Sequence, residues 1–326
     1  MFKSLRSLSF GVMALASFGL LATPASLQAA DYPTKPITVI SPYGAGGDND
    51  LTARLWAESA KKKLGQPVVV VNKTGGSGLT GTLSAAKAKA DGYTLFLAQA
   101  GPNIIVPLTA KGVSIEHDDF DYIARVMLAN CAVVVKKGAP WKNLKEFAEA
   151  AKKNPGKLVF AAPTSTSWLT FAMRNWFTVS GVELKHVVYK SGAEAATAVL
   201  GGHADMTFLF PQNYASMASA GELEILAMGA KSKDYPDAPT FAELGYTGNY
   251  YGWGGIAAPK GLPKDIYDKL VSVSEEIVKD PDFIKALTNM KATPDFATGD
   301  AWKAQLKEQY AEMQKVLTDL GLTNKK

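Results

Sequence analysis

Ser41-Pro-Tyr-Gly-Ala-Gly-Gly-Asp-Asn-Asp50 follows directly on the apolar run Ile37-Thr-Val-Ile40 and leads into an amphipathic segment. A strand that ends in a glycine-rich turn leaves the next helix with unpaired N–H groups aimed above the sheet. Those donors and the positive end of the helix dipole suit an anion. Gly44, Gly46 and Gly47 let the backbone itself approach a ligand. A plain turn with Asp48 or Asp50 as N-cap needs fewer glycines, so Tyr43, Gly44, Ala45, Gly46, Gly47 and Asp48 are read as half of a binding site. The helix itself is marked by Ala53, Trp56, Ala57, Ala60 and Leu64 at helical spacing. Lys61, Lys62 and Lys63 suit its negative end, and Gly65 stops it. The turn is not a dinucleotide fingerprint, because Gly44-Ala-Gly46 continues as Gly47-Asp48-Asn49. No Gly-Lys-Ser/Thr of a phosphate-binding loop occurs in the chain either. Nucleotides are therefore not expected, and no cofactor is.

Residues 1–30 read as a secretory signal. Lys3 and Arg6 make a basic start, residues 8–21 are apolar or small, and small residues end at Ala29-Ala30 before Asp31. A retained anchor is the weaker reading, since this apolar core falls short of a spanning helix. The mature chain is expected in the periplasm, as a monomer with no stable membrane anchor. Losing Lys3 and Arg6 takes two charges off the formal +5. The remaining lysines are scattered and form no stripe, so no nucleic-acid footprint is seen. Cys131 is the only cysteine; no intrachain disulfide can form, and a buried thiol is the default reading. The length is sufficient for two hydrophobic cores.

One plan occurs twice. Strand-like runs at 37–40, 68–71, 94–98 and 122–128 alternate with helical ones, and the last continues into 131–136. Runs at 158–162, 186–189 and 206–210 repeat the pattern, and 224–230 precedes 253–258. Alternating βα units imply an α/β fold with two mixed, mostly parallel sheets flanked by helices. The chain is expected to cross between lobes near 128–135 and 224–258. That gives a first domain of residues 31–129 and 249–326 around an inserted domain of 130–248, with the crossings as hinge. Trp302, Leu306, Tyr310, Met313 and Leu317 mark a closing helix on the first domain, after helices at 264–278 and 281–290. Ligands are expected in the interdomain cleft, at the carboxyl ends of the two sheets.

Other loops would face that cleft. Asn72-Lys-Thr-Gly-Gly-Ser77-Gly78 reads equally as a cleft edge presenting Ser77 or as a flexible connection. Thr164, Ser165, Thr166 and Ser167 place four hydroxyls before a helix, more than one N-cap requires, and make a second anion-accepting pole. Tyr43, Trp168 and Phe210 form a hydrophobic slot or pack into cores. Arg174 either clasps a second carboxylate or lies on a solvated helix face.

At this point the chain resembles the Bug-type solute receptors of tripartite tricarboxylate transporters. The resemblance rests on Tyr32-Pro-x-Lys-Pro-Ile37, Pro42-Tyr-x-x-Gly46-Gly47-x-x-Asp50 with Arg54, and Ala90-Asp-Gly-Tyr-Thr-Leu95. His186-Val-x-Tyr-Lys190, Ala198-Val-Leu-Gly-Gly-x-Ala-Asp205, Ala220-Gly-Glu-Leu223 and Pro236-Asp-Ala-Pro-Thr240 complete it, in order, across essentially the whole mature chain. It implies a type II periplasmic-binding-protein fold, a small organic acid as ligand, and permease subunits as membrane partners. It also implies that a ligand carboxylate is held between the Tyr43–Asp48 and Thr164–Ser167 loops, with Asp205 orienting water or the loops. Thr170 stands where a histidine is common, Arg174 where an acidic residue is, and Leu209-Phe210 where an Asp-Asn pair is. These departures speak against an amino-acid ligand, whose ammonium would want an acidic partner, and fit a carboxylate with an apolar, even aromatic, body, or a dicarboxylate reaching Arg174.

Two other functions compete. A secreted hydrolase is poorly supported, because Gly75-Gly-Ser77-Gly-Leu79 lacks the last glycine of a nucleophile elbow and the histidines at 117, 186 and 203 have no nucleophile spacing. His117-Asp118-Asp119 reads as a solvated loop, with no metal expected, and His203 as a surface turn residue. A ligand-binding partner of a sensor kinase would use the same fold and the same cleft.

Overall fold

The structure, a computed structural model, describes residues 32–112, 114–165 and 167–324; the expected signal at 1–30 lies outside them. In chain order, β1 (Ile37–Ser41), α1 (Asp48–Leu64), β2 (Val68–Asn72), α2 (Leu79–Ala86) and β3 (Thr94–Ala98) come first. After them run α3 (Val106–Thr109), β4 (Phe120–Ala129), β5 (Ala132–Lys136), α4 (Leu144–Lys153), β6 (Val159–Ala162) and α5 (Trp168–Ser180). Then follow β7 (Lys185–Val188), α6 (Gly192–Leu200), β8 (Met206–Leu209), α7 (Pro211–Ser219) and β9 (Leu223–Met228). The chain closes with β10 (Gly252–Pro259), α8 (Lys264–Val278), α9 (Pro281–Asn289), β11 (Ala292–Thr298) and α10 (Gly299–Asp319).

The strands form two sheets flanked by helices, with orders β11-β4-β10-β3-β1-β2 and β7-β6-β8-β5-β9. Most strands share one direction within each sheet, as expected, but the pairings are more mixed than βα alternation suggests. β10 runs against both β3 and β4, β11 against β4, and β5 against both β8 and β9. The reason is topological. A strand entered straight from the other sheet, without a crossover helix, arrives reversed, and β5 and β10 are those strands.

Local chemistry explains the elements. α1 carries Asp48 and Asp50 in its first turn and three lysines in its last, and Gly65 stops it in the left-handed conformation at φ 68°. Its stripe of Ala53, Trp56, Ala60 and Leu64 packs with Ile37, Val39, Leu95 and Leu97. β10 is buried along its whole length, as a strand between two neighbours must be. The 292–298 strand carries no alternation and is not expected from the pattern. It sits at a sheet edge with a register break between Pro294 and Ala297, where a proline is tolerated. The apolar interior is not two separate cores. Its largest cluster is continuous from Ile40 and Phe96 to Val133, Phe160 and Trp176. α10 reaches α5 within this body, where Asn175 and Asn249 both donate to Glu312.

Candidate functional site

Strand polarity gathers the site. Tyr43 after β1, Gln99 after β3, Ala129 at the end of β4, Thr164 after β6 and Phe210 after β8 line one cavity of about 580 Å³. The reversed β10 adds Gly252 and Trp253 from its amino end. That volume suits a small organic molecule.

The aromatic wall is built on glycines. A Cβ at Gly252 would lie 2.4 Å from the Phe210 ring, and one at Gly101 would lie 2.5 Å from the Tyr43 hydroxyl. Only the absence of these side chains lets both rings turn to the cavity. Phe210 stacks on Trp168 with centroids 6.4 Å apart and planes at 26°. Trp253 is fixed by its Nε1 donating to Gln309 at 2.8 Å.

The glycine-rich turn is held from below. The Gly46 N–H donates to Asp50 at 2.9 Å, and Asp50 also accepts from Arg54 and Asn72. Burial alone would raise the Asp50 pKa, but the Arg54, Gly46 and Asn72 bonds together bring it below the usual carboxylate value. Asn72 Nδ2 also donates to the Tyr43 carbonyl, and the Ser41 hydroxyl donates to Asn49. Asp48 stands at the start of α1 and faces the cavity, accepting from Gln99 Nε2 at 3.1 Å and from the backbone N–H groups of Asn49 and itself. Burial pushes its carboxyl pKa up, against the lowering effect of those bonds. It also helps burial to raise the Tyr43 phenol. The positive end of α1 is thus already met by the protein's own carboxylates. The two poles expected from sequence are not equivalent.

The other pole is less engaged. Ser167 caps α5, its hydroxyl accepting from the Thr170 N–H at 3.4 Å, and the Thr170 hydroxyl ties the Thr164 carbonyl at 2.5 Å. The Thr164 and Ser167 side chains stand at the cavity wall beside the positive end of a 13-residue helix. Among the described residues of the wall there is no lysine, arginine or histidine; Asp48 and Tyr43 are its ionisable groups.

Of the residues singled out in the sequence, Tyr43, Asp48, Ser77, Thr164, Ser167, Trp168 and Phe210 come together on this wall. Gly44, Ala45, Gly46, Gly47 and Ser165 are exposed and outside the lining, and Thr166 lies outside the described residues. Arg174 is elsewhere. Nearly two turns into α5, it faces β7 with its Nη1 3.4 Å from His186 Nδ1 and lines a separate depression with Thr178 and Asp319. Asp205 precedes β8, at the opposite end of that strand from Phe210, and accepts the Val159 N–H at 2.7 Å. Leu209 points to the other face of its sheet and is fully buried, as the two-residue strand period dictates. His117 stacks on Tyr310 at 4.3 Å, and His203 is exposed in a turn. Among the described residues no group of three or more His, Cys, Asp and Glu side chains is arranged to hold a metal.

Sequence reasoning missed Gln99, the helical stretch from Gly101 to Thr109, and the Gly252-Trp253 pair. Gln99-Ala100-Gly101 at the end of a strand carried a signal of the same kind as the Ser41–Asp50 turn. Gly252 and Trp253 carried none, because only the reversed pairing of β10 brings its first residues here.

Residues 52–322 match the sequence profile described as the tripartite tricarboxylate transporter family receptor. The chain is 31% identical over 311 residues to a protein encoded in the gbd 5' region of Cupriavidus necator, covering 95% of this chain and 94% of that one. It is 29% identical to BugT of Bordetella pertussis, over 91% of this chain and 93% of the relative. Among solved structures, a TctC solute-binding protein from Polaromonas superposes with a TM-score of 0.81 at 29% identity, over 88% of this chain and 99% of the other. The periplasmic binding protein BugD gives 0.69 at 31% identity, over 90% and 99%.

Proposed function

The chain belongs to the tripartite tricarboxylate transporter receptor family, and from that premise we propose that it is an exported receptor for a carboxylate with an apolar, aromatic-sized body, delivered to a membrane permease. Receptors of this family bind solutes and are not enzymes. The observation that carries the reading is the cavity wall itself. The hydroxyl-bearing start of α5 stands on one side, and Tyr43, Trp168, Phe210 and Trp253 supply an apolar middle.

The ligand carboxylate is held by Thr164, Ser167 and the first N–H groups of α5, where the dipole and free donors suit it. Trp168 and Phe210 stack on its body. Ser77 and Tyr43 close the site from the first sheet. A dicarboxylate clasped by Arg174 has no support here, since that guanidinium lines a different depression. Residues 31–129 and 249–326 act as one lobe and 130–248 as the other, joined by the segments between β4 and β5 and between β9 and β10. The division of strands between the two sheets supports this. Among the described residues no helix is long and apolar enough to cross a membrane.

The test is calorimetry with an acid and its methyl ester, starting from 4-methylbenzoate. Each charge-assisted hydrogen bond is worth about 1.5–3 kcal/mol, so esterification is expected to weaken binding at least about tenfold. Equal affinity for acid and ester refutes carboxylate capture.

A further inference from the structure

We propose that the cavity selects a zwitterion, with the ligand's carboxylate at the start of α5 and a protonated nitrogen on its far side held by Asp48. The proposal rests on carboxylate capture as described above and adds the second recognition element. Among the described residues, Asp48 is the one carboxylate on the cavity wall, and no lysine, arginine or histidine stands there to balance it. Its partners are a neutral amide, Gln99, and two backbone N–H groups, which orient the carboxylate without neutralising it. A carboxylate accepts about four hydrogen bonds, so acceptor capacity remains toward the cavity.

The charge pattern rules against a second ligand carboxylate. A dianion would bring like charge against Asp48 in a site of low dielectric, where repulsion is strong. A neutral body would leave this half-buried carboxylate without a counter-charge. An ammonium supplies the missing counter-charge, and the faces of Tyr43, Trp168, Phe210 and Trp253 favour a cation over an anion. Burial of Asp48 already disfavours its ionised form, so a cationic partner gains more here than at an exposed carboxylate.

Three probes of matched shape separate the possibilities by calorimetry: 4-(aminomethyl)benzoate, a zwitterion; 4-methylbenzoate, a monoanion; and terephthalate, a dianion. The zwitterion is expected to bind roughly tenfold or more tightly than the monoanion, and terephthalate more weakly than both. Asp48→Asn is expected to erase the zwitterion's advantage over 4-methylbenzoate, and its thermal melting reports that the variant is folded. Terephthalate binding as well as the zwitterion, or a preference unchanged in Asp48→Asn, overturns the role of Asp48 and leaves carboxylate capture standing. Failure of all three acids, or equal binding of the methyl esters, overturns both.

Discussion

Replacing Gly252 by alanine tests the most specific feature of the site, the contact between the first residue of β10 and the Phe210 ring. The new Cβ would lie 2.4 Å from the ring edge and 3.3 Å from the Ala129 Cβ. Carbon atoms in good contact sit about 3.5–4.0 Å apart, so something must retreat by roughly 1.1–1.6 Å. β10 is buried here and Gly252 is paired with Ala129 of β4, so its backbone resists displacement. The Phe210 ring can retreat, because its other side is the open cavity. The ring therefore swings into the ligand's space and loosens its stack on Trp168. Overpacking of this kind costs about 1–3 kcal/mol. If the ligand must push the ring back, the same energy appears as a roughly five- to 150-fold loss of affinity. The assay is calorimetry and thermal melting of wild type, Gly252→Ala, Phe210→Leu and the double variant. The smaller leucine side chain of the Phe210→Leu background should absorb the alanine, so the two changes should be less than additive in stability. An unchanged melting temperature and affinity in Gly252→Ala, or an equal penalty in both backgrounds, refutes the account of how the wall is built.

Arg174→Ala is expected to leave ligand affinity unchanged in calorimetry, because the side chain contacts His186 outside the cavity; a loss above about tenfold would place it in the site after all. Asp48→Asn is expected to stabilise the unliganded protein at neutral pH. The folded-state pKa of Asp48 is raised by burial, so wild type loses stability as pH climbs from the ordinary carboxylate range through that raised value. The two proteins should melt alike in acid and diverge above it. The opposite divergence refutes the burial argument. Saturating ligand is expected to reduce the radius of gyration in small-angle scattering, as interactions with both lobes favour a closed form; no compaction would point to a site served by one lobe.

The sequence by itself determined local elements such as α1 and α10. Trp56 with Ala53 and Ala60, and Trp302 with Leu306 and Met313, predicted buried helix faces from spacing alone, and each is buried. Turn residues named the loops at strand ends, and seven of the side chains picked from them stand on one cavity wall. Those features are local, governed by periods of two and 3.6 residues and by the dipole of the helix that follows. Only the tertiary structure decided which end of each strand and which face of each helix meets the site. Asp205, named through the family resemblance, and Phe210, read from its strand end, bracket β8, and strand polarity puts Phe210 at the cavity and Asp205 at the far end of the sheet. Arg174 shares a helix with Trp168 but points to β7. Gly252 and Gln99, far apart in the chain, become neighbours of the same space because β10 enters reversed beside β3. Above all, the sequence offered two anion-accepting poles, one on each loop. The folded chain fills one with its own Asp48 and Asp50, because a carboxylate tethered at a helix start reaches those donors before any ligand can.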